Sequence, residues 1–302
     1  MKKNFLIILT AGLFFTACNN QSGEESANKT TVDEQTASYT DNTITDSIDS
    51  TDTDLHFCIE KFAPSEVTSF DISIIGKKAY RFNKQTNIAD EPGGQQAQKA
   101  VEWFPYRWEY KNLKVMFLEG APEVQNRVIS TAKEWEKHCG IRFQFGNFAN
   151  PDITIAFQKG AGSWSYIGNY SRSYYQKYRK PSMNLGWLTP NTPQEEYDRV
   201  VIHEFGHALG LIHEHQNPTS GIQWDSARVY AYFMGPPNKW SRFEVDENIF
   251  KKYAVSETNY TAFDSNSIMI YAIPSQFTKN GYSVNSKSKL SNTDISFIAD
   301  KY

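Results

Sequence analysis

The stretch that decides the fold reads His203-Glu204-Phe205-Gly206-His207-Ala208-Leu209-Gly210-Leu211-Ile212-His213. Residues four apart on an α-helix lie on one face, so His203 and His207 can bind one metal ion through their imidazoles. Glu204 is rotated off that pair but can reach a water on the metal. Gly210 can take a left-handed conformation that ends the helix and turns His213 back toward the metal. The spacing predicts a zinc site with three histidine ligands and an open position for water.

This pattern is specific. A chance H-E-x-x-H in a chain of this composition is roughly a one-in-a-hundred event, and the added Gly and His lower it to the order of one in a hundred thousand. The simpler interpretation, histidines buried on a helix without a metal, therefore has little weight.

The surrounding residues predict the helix that carries the motif. Thr192-Pro193-Gln194-Glu195-Glu196 supplies a cap, a proline in the first turn and early acidic residues, so the helix should run to about Leu209. Apolar spacing predicts a second helix over 123–138 with Gly140 as its C-cap, and a capped helix near 290–295 that begins at Ser291 or Thr293. Alternation predicts strands at 113–118, 141–145, 153–157 and 183–188, with one or two more near 72–75 and 79–82.

The motif resembles that of the metzincin metalloproteases, and Ser267-Ile268-Met269-Ile270-Tyr271 is similar to their Met-turn. Bacterial astacin-like and matrixin-like peptidases look like the nearest kin. The resemblance covers roughly residues 100–302, including Gly162-Ser163-Trp164-Ser165-Tyr166-Ile167-Gly168 and the stretch 182–187. The sequence departs from the astacin pattern at two places: Ile270, which is often His in astacins, and His215-Gln216-Asn217-Pro218. These departures leave the subfamily open, but they do not affect the prediction of the zinc site.

This resemblance implies an α+β fold. It comprises a twisted, mostly parallel sheet with an antiparallel edge strand, two long helices above it and an irregular C-terminal subdomain. The strand at 183–188 would be the exposed edge bordering the cleft, where an extended peptide could add as a further strand. Met269 would lie beneath the zinc without binding it, and Tyr271 would bind the zinc or donate to the oxyanion of the transition state.

The resemblance also implies an activity. The chain would be a zinc-dependent endopeptidase with one catalytic Zn²⁺, acting on a protein or peptide, with Glu204 as the general base. Two alternatives remain open: a zinc-binding module without activity, and a zinc hydrolase with a non-protein substrate. Glu204 disfavours the first, because loss of that carboxylate is the simplest way to disable such a site.

Charge is unevenly distributed along the chain. The net charge of −3 gives no indication of a nucleic-acid partner. Residues 19–54 are rich in acidic and small polar residues and contain almost no large apolar ones, which is typical of a disordered tether. The body of the chain is nearly neutral, and we expect a monomer.

The N-terminus is typical of a lipoprotein signal. Lys2 and Lys3 precede an apolar stretch over 5–15, which ends in Phe15-Thr16-Ala17-Cys18, a sequence that resembles a lipobox. We therefore expect a cell-envelope protein anchored to the membrane by a lipid on Cys18; an ordinary secretory signal is the alternative. The predicted organisation is a signal peptide (1–17), an acidic tether (18–54), an N-terminal extension or pro-segment (55–98) and the catalytic domain (99–302).

Two further cysteines and three other histidines need an interpretation. An even pair outside the cytosol favours a disulfide between Cys58 and Cys139. The alternative is that Cys58 reaches the zinc as a latency ligand, as in some matrix metalloprotease pro-segments. The position of Gly210 favours His213 over His215 as the third ligand, so His215 is expected to support the site. His56 and His138 are not accompanied by other candidate metal-binding or catalytic residues and are expected at the surface.

Overall fold

The structure, a computed structural model, describes residues 58–61, 102–103, 106–236, 238–253, 258–259 and 262–302. These residues belong to one unit, which extends from Asp52 to Tyr302. The predicted signal peptide, the acidic tether, His56 and the strands expected near 72–75 and 79–82 lie outside the described residues. Within the described part of the chain, no helix has the length and apolar character needed to cross a membrane.

The described chain alternates short strands with helices. The strands are β1 (Cys58–Lys61), β2 (Glu102–Trp103), β3 (Asn112–Phe117), β4 (Arg142–Phe145), β5 (Ile153–Ala156), β6 (Ser163–Tyr166), β7 (Met183–Leu185) and β8 (Thr258–Asn259). The α-helices are α1 (Pro122–Ala132), α2 (Tyr170–Tyr178), α3 (Gln194–Ala208), α4 (Ser226–Met234), α5 (Arg242–Val245) and α6 (Asn292–Lys301).

Six of the strands form one sheet in the order β1-β6-β7-β5-β3-β4. All neighbours run parallel except β6 and β7, which are antiparallel. β2 and β8 form a separate antiparallel pair. The fold is therefore α+β with a mostly parallel sheet and one antiparallel pair, as the sequence predicts.

The sheet packs against the helix that carries the histidine motif. α3 contacts the strands β6, β7 and β1 and the helix α1. The ring of Phe205 meets the ring of Phe143 edge-on at 4.9 Å between centroids. The indole of Trp135 is fully buried and donates from Nε1 to the carbonyl of Ile202 at 2.9 Å. These contacts fix the position of α3 above the sheet, because a buried indole is held both by its area and by its hydrogen bond.

The expectation that 183–188 forms the exposed sheet edge is wrong. β7 lies inside the sheet, where Met183 pairs with Ser165 of β6 on one side and with Ile155 of β5 on the other. All three of its residues are buried. β6 is the strand added outside β7, and β1 is added outside β6. Strand periodicity reports which faces are buried and contains no information about which neighbours a strand has.

The helix predicted over 123–138 is also shorter than expected. α1 ends at Ala132, and a separate 3₁₀ turn follows at Trp135–Lys137. Gly140 therefore does not cap it. At the other end of the chain, α6 begins at Asn292 and is capped by Ser291, whose side chain forms a capping box with Asp294.

The disulfide favoured by the cysteine count is absent. Cys58 and Cys139 are both free thiols. Cys58 lies on β1 at one edge of the sheet, whereas Cys139 lies just before β4 at the opposite edge, so no bond can join them. The Cys139 thiol instead donates to the carbonyl of Trp135 at 3.3 Å.

Candidate active site

His203 and His207 lie one turn apart on the buried face of α3. Both side chains are almost fully buried, as is Glu204 between them. The helix begins after Pro193 and carries Glu195 and Glu196 in its first turn, where acidic side chains interact favourably with the helix dipole. The local sequence therefore sets the helix, and the helix sets the spacing of the two imidazoles.

The helix ends in a turn made by glycine. Gly210 has a φ of 100°, a conformation that residues with a Cβ rarely adopt. Its N–H donates to the carbonyl of His207 at 2.8 Å, and the N–H of Leu211 donates to the carbonyl of Gly206 at 3.0 Å. This pair of bonds is the Schellman arrangement, which closes a helix and reverses the chain. It returns His213 to the level of the first two histidines.

Three imidazoles converge as a result. The Nε2 atom of His207 lies 3.1 Å from Nε2 of His203 and 3.1 Å from Nε2 of His213. Among the described residues, these three histidines are the group of His, Cys, Asp and Glu side chains close enough to hold a metal ion, and Cys58 is not part of it.

The imidazole rings of the site are protonated in a way that suits a bound cation between their Nε2 atoms. Nδ1 of His203 lies 2.8 Å from the carbonyl of Ile268, and Nδ1 of His207 lies 2.9 Å from the carbonyl of Leu211. A carbonyl only accepts, so each Nδ1 carries a proton and each Nε2 presents a lone pair. Burial lowers the pKa of His203 to about 4 and that of His207 well below its usual value, so both rings are neutral. Facing lone pairs at this distance repel unless a cation lies between them, and three neutral imidazoles suit zinc.

Glu204 is the buried carboxyl group of the site. It is 0% exposed, and neither of its oxygens accepts a hydrogen bond of ordinary geometry from the described residues. Burial raises the pKa of Glu204 to about 8, while the Cys58 thiol and the charges of Arg199 and Lys61 act in the opposite direction. A buried carboxyl with a raised pKa beside a metal-binding group is typical of a proton-transfer site.

A turn around Met269 forms the floor of the site. Its N–H donates to Ser267 Oγ at 3.0 Å, and its carbonyl accepts from the N–H of Glu214 at 3.0 Å. The side chain is buried, and its sulfur packs so closely on Gly206 that a Cβ there would lie 2.5 Å from it. Met269 therefore contacts the helix between the two histidines of α3.

Tyr271 lies beside the third histidine. Its ring centroid is 4.2 Å from that of His213 and 4.7 Å from that of His215. Nε2 of His215 lies 2.8 Å from the carbonyl of Asn248, so this ring faces away from the metal-binding group.

His138, which the sequence indicated as a surface residue, is half-buried and lies 3.4 Å from Glu134.

Sequence reasoning missed two residues that contribute to the site, Asp294 and Trp108. Asp294 accepts from Ser267 Oγ at 2.7 Å and from the N–H of Ile268 at 2.8 Å, which ties α6 to the turn. Trp108 donates from Nε1 to the carbonyl of Ala208 at 2.7 Å, at the end of α3. Cys58, the alternative zinc ligand considered from the sequence, is not part of the metal-binding group and interacts with Glu204 from β1. Of these residues, only Asp294 lies in a recognisable sequence motif, the capping box that begins at Ser291. That motif predicts where a helix starts but not which part of the chain Asp294 contacts.

Comparisons with known proteins agree with this geometry. The family model described as Astacin, a family of peptidases, matches residues 101–300. The solved structure titled "Structure of myroilysin" is 42% identical, with a TM-score of 0.64, and the match covers 67% of this chain and 97% of that one. A second structure, "Crystal structure of myroilysin", is 38% identical with a TM-score of 0.52, covering 72% and 98% respectively.

Curated relatives are more distant. Protein SpAN from Strongylocentrotus purpuratus is 28% identical over 137 residues, which is 43% of this chain and 20% of that protein. Zinc metalloproteinase nas-38 from Caenorhabditis elegans is 25% identical over 182 residues, which is 58% of this chain and 21% of the relative. The matched part of the chain thus spans about a fifth of the length of these relatives.

Proposed function

Since the chain belongs to the astacin family of zinc metallopeptidases, we propose that it is a zinc-dependent endopeptidase that hydrolyses peptide bonds within proteins. One observation carries the proposal. The Nε2 atom of His207 lies 3.1 Å from those of His203 and His213, and the helix that carries His203 and His207 also carries the buried carboxyl group of Glu204. This combination supplies a metal-binding group and a proton acceptor on one helix.

The three histidines would hold one zinc ion, which when bound acidifies a water molecule and polarises a peptide carbonyl. Glu204 takes the proton of the attacking water and passes it to the leaving amine. Its burial suits this role, because a carboxyl whose pKa lies near neutrality can both accept and release a proton. The carbonyls of Ile268 and Leu211 keep the proton of His203 and His207 on Nδ1, so the ligating nitrogens stay free of protons.

The proposed role of Tyr271 is to stabilise the oxyanion of the transition state. Its ring packs against that of His213, which brings a phenol to the side of the metal-binding group. A hydroxyl donor in a dry pocket stabilises the negative charge that develops on the carbonyl oxygen. Met269 and Gly210 act through the ligands, the first by supporting α3 and the second by turning the chain.

The substrate is a protein or peptide in an extended conformation. β6 contacts α3, the helix of the metal-binding residues, and pairs with β7 on one side and with β1 on the other. Its pairing with β1 is an example of an extended segment held at this strand by main-chain hydrogen bonds, and such bonds bind a chain without reference to its sequence, which favours cleavage within chains.

The test measures cleavage of denatured casein by the zinc-loaded full chain, with and without a chelator. The Glu204→Gln variant is assayed in parallel. We expect the chelator to abolish cleavage, and Glu204→Gln to lower it by about 10³-fold or more with zinc content unchanged, because only the proton acceptor is lost. Glu195→Gln is the matched control, since Glu195 is exposed on the same helix. Zinc retained without any cleavage by the unmodified chain would favour a binding module, and full activity of Glu204→Gln would refute the mechanism.

We also propose that the protein is anchored in the cell envelope by a lipid. The lipobox-like sequence that ends in Cys18 supports a lipid anchor in the cell envelope. Metabolic labelling with a radioactive fatty acid should mark the unmodified chain and fail to mark Cys18→Ala. Equal labelling of both chains would favour the ordinary secretory signal.

A further inference from the structure

Tyr271 packs against two imidazole rings at once. Its ring centroid lies 4.2 Å from that of His213 and 4.7 Å from that of His215, and the planes of Tyr271 and His215 are inclined by only 27°. The two imidazoles also stack on one another, with 5.3 Å between their centroids. Tyr271 is 6% exposed, so these contacts restrict the rotation of its ring. One of the two rings, that of His215, does not belong to the metal-binding group.

His215 is anchored independently of the metal-binding group. It is fully buried, and its Nε2 atom donates to the carbonyl of Asn248 at 2.8 Å. The indole of Trp224 meets its ring edge-on, with 6.1 Å between the centroids. The hydroxyl of Ser220 donates to the main-chain carbonyl of His215 at 3.0 Å. Both the backbone and the ring of His215 are thus fixed, and the imidazole presents a face to Tyr271.

The anchor of His215 is a π-helical turn, Asp246–Phe250. The carbonyl of Asn248, inside this turn, accepts from His215. The carbonyl of Glu247 accepts from Nε2 of Gln216 at 2.6 Å. Turns of this kind are rare, and they occur often at functional sites. The turn therefore sets the position of His215 from a part of the chain separate from the Met-turn.

A fixed ring at this place matters for the chemistry of the site. A donor that stabilises developing charge must be in place before the charge appears, because reorientation during the reaction costs free energy. The ring of Tyr271 can turn about two side-chain bonds, so the position of its hydroxyl depends on what the ring packs against. His213 supplies one contact, and His215 supplies another that does not depend on the metal.

We propose that His215 is a positioning residue, whose imidazole face holds the ring of Tyr271 against His213 and so keeps the phenol directed at the developing oxyanion. It acts through Tyr271 and not through the metal or the substrate. The inference rests on the proposed endopeptidase function and extends it to a residue outside the metal-binding group.

Two substitutions separate the ring of His215 from its hydrogen bond. His215→Gln keeps a donor near the position of Nε2 and removes the ring, whereas His215→Phe keeps a ring and removes the donor. In the zinc-loaded full chain, assayed on a fluorogenic peptide, we expect His215→Gln to lower kcat about tenfold with KM within about threefold, and His215→Phe to keep kcat within about threefold. His138→Gln, at a half-buried imidazole beside Glu134, is the control and should leave kcat unchanged. Unchanged kcat in His215→Gln, or equal losses in the Gln and Phe variants, would overturn the proposal.

A double-mutant cycle separates positioning from general support. In a Tyr271→Phe background the hydroxyl is already absent, so adding His215→Gln should change kcat by less than about twofold. A loss in this background as large as in the unmodified chain would show that His215 supports the site as a whole, and it would overturn the proposal.

The motion of the ring tests the proposal without activity. In zinc-loaded full chain with ¹³C-labelled tyrosine rings, the NMR signals of Tyr271 are those missing from Tyr271→Phe, and we expect its ring to flip about tenfold faster in His215→Gln. The buried ring of Tyr197 is the internal control, whose flip rate should not change. Equal flip rates of Tyr271 with and without the imidazole would overturn the proposal whatever the activity assay shows. An inactive unmodified chain whose ring responds as expected would contradict the endopeptidase and leave the restraint on Tyr271 standing.

Discussion

The hydroxyl of Tyr302 donates a 2.8 Å hydrogen bond to the carbonyl of Leu209, which lies 93 positions earlier, at the end of the helix that carries His203 and His207. The same hydroxyl accepts from the N–H of Trp108 at 3.3 Å, while the Trp108 indole donates to the carbonyl of Ala208. These bonds satisfy the carbonyls that a helix leaves free at its C-terminus. They hold the last turn of α3 in the position from which the chain reverses toward His213.

Removing that donor should loosen the turn. Tyr302→Phe leaves the Leu209 carbonyl buried without its partner, so we expect the free energy of unfolding to fall by about 1–2 kcal/mol. Zinc should also be released faster to a competing chelator, because His213 follows the turn. Denaturant unfolding and chelator competition measure the two effects. Tyr178→Phe, at a largely exposed ring, is the control, and equal zinc release from Tyr302→Phe and the unmodified chain would contradict the coupling.

Asp294 should matter far more than its place on a terminal helix indicates. Its carboxylate accepts from Ser267 Oγ, Ile268 N–H and Ser291 N–H, and it is fully buried. Asp294→Ala leaves several buried donors without partners, so we expect a loss of about 3–5 kcal/mol in the free energy of unfolding. Asp300→Ala changes an exposed carboxyl on the same helix and should cost less than about 0.5 kcal/mol. Similar melting temperatures for the two variants would contradict this assignment.

Gly206→Ala should destabilise the protein, although alanine normally favours a helix. The added Cβ would lie 2.5 Å from the sulfur of Met269 and 3.3 Å from the indole of Trp135. Overpacking of this kind costs about 1–3 kcal/mol. The cost should shrink in a Met269→Ala background, where the space is free, and a double-mutant cycle from denaturant melts measures this coupling. Additive effects would show that Met269 does not limit the space at Gly206.

Tyr271→Phe should lower kcat with little change in KM. The ring keeps its packing on His213, and only the hydroxyl is lost. We expect kcat to fall by about 10²-fold with KM within about threefold, which is the behaviour of a donor used in the transition state. Tyr230→Phe, whose hydroxyl donates to Asp246, should retain full activity. A change confined to KM would assign Tyr271 to substrate binding instead.

The helix of the site and its turn could be predicted from the sequence because their signals are local. The proline and acidic residues at 193–196 predict the start of α3, although Pro193 occupies the N-cap position and Thr192 does not cap the helix, and Gly210 predicts its end. The residues of the Met-turn could be named from their resemblance to a family pattern. Their attachment could not, because Asp294 lies 26 residues from Ile268 along the chain and its contact forms only when α6 packs.

Strand order was the part that sequence patterns could not supply. The residues 183–188 have the alternation of a strand, but an edge strand and an interior strand can share that pattern. The cysteine count failed for a similar reason, since an even number of thiols favours pairing whereas the sheet places Cys58 and Cys139 at opposite edges.

The sequence by itself determined the three histidines that converge, the position of Glu204 on the same helix and the glycine that turns the chain between the histidines. All of them lie within eleven consecutive residues, so helix geometry and one turn bring them together. Only the tertiary structure decided that β7 lies inside the sheet and that β1 pairs with the outer side of β6. That outcome depends on pairing between segments about a hundred residues apart, and such pairing is settled by the packing of the whole sheet.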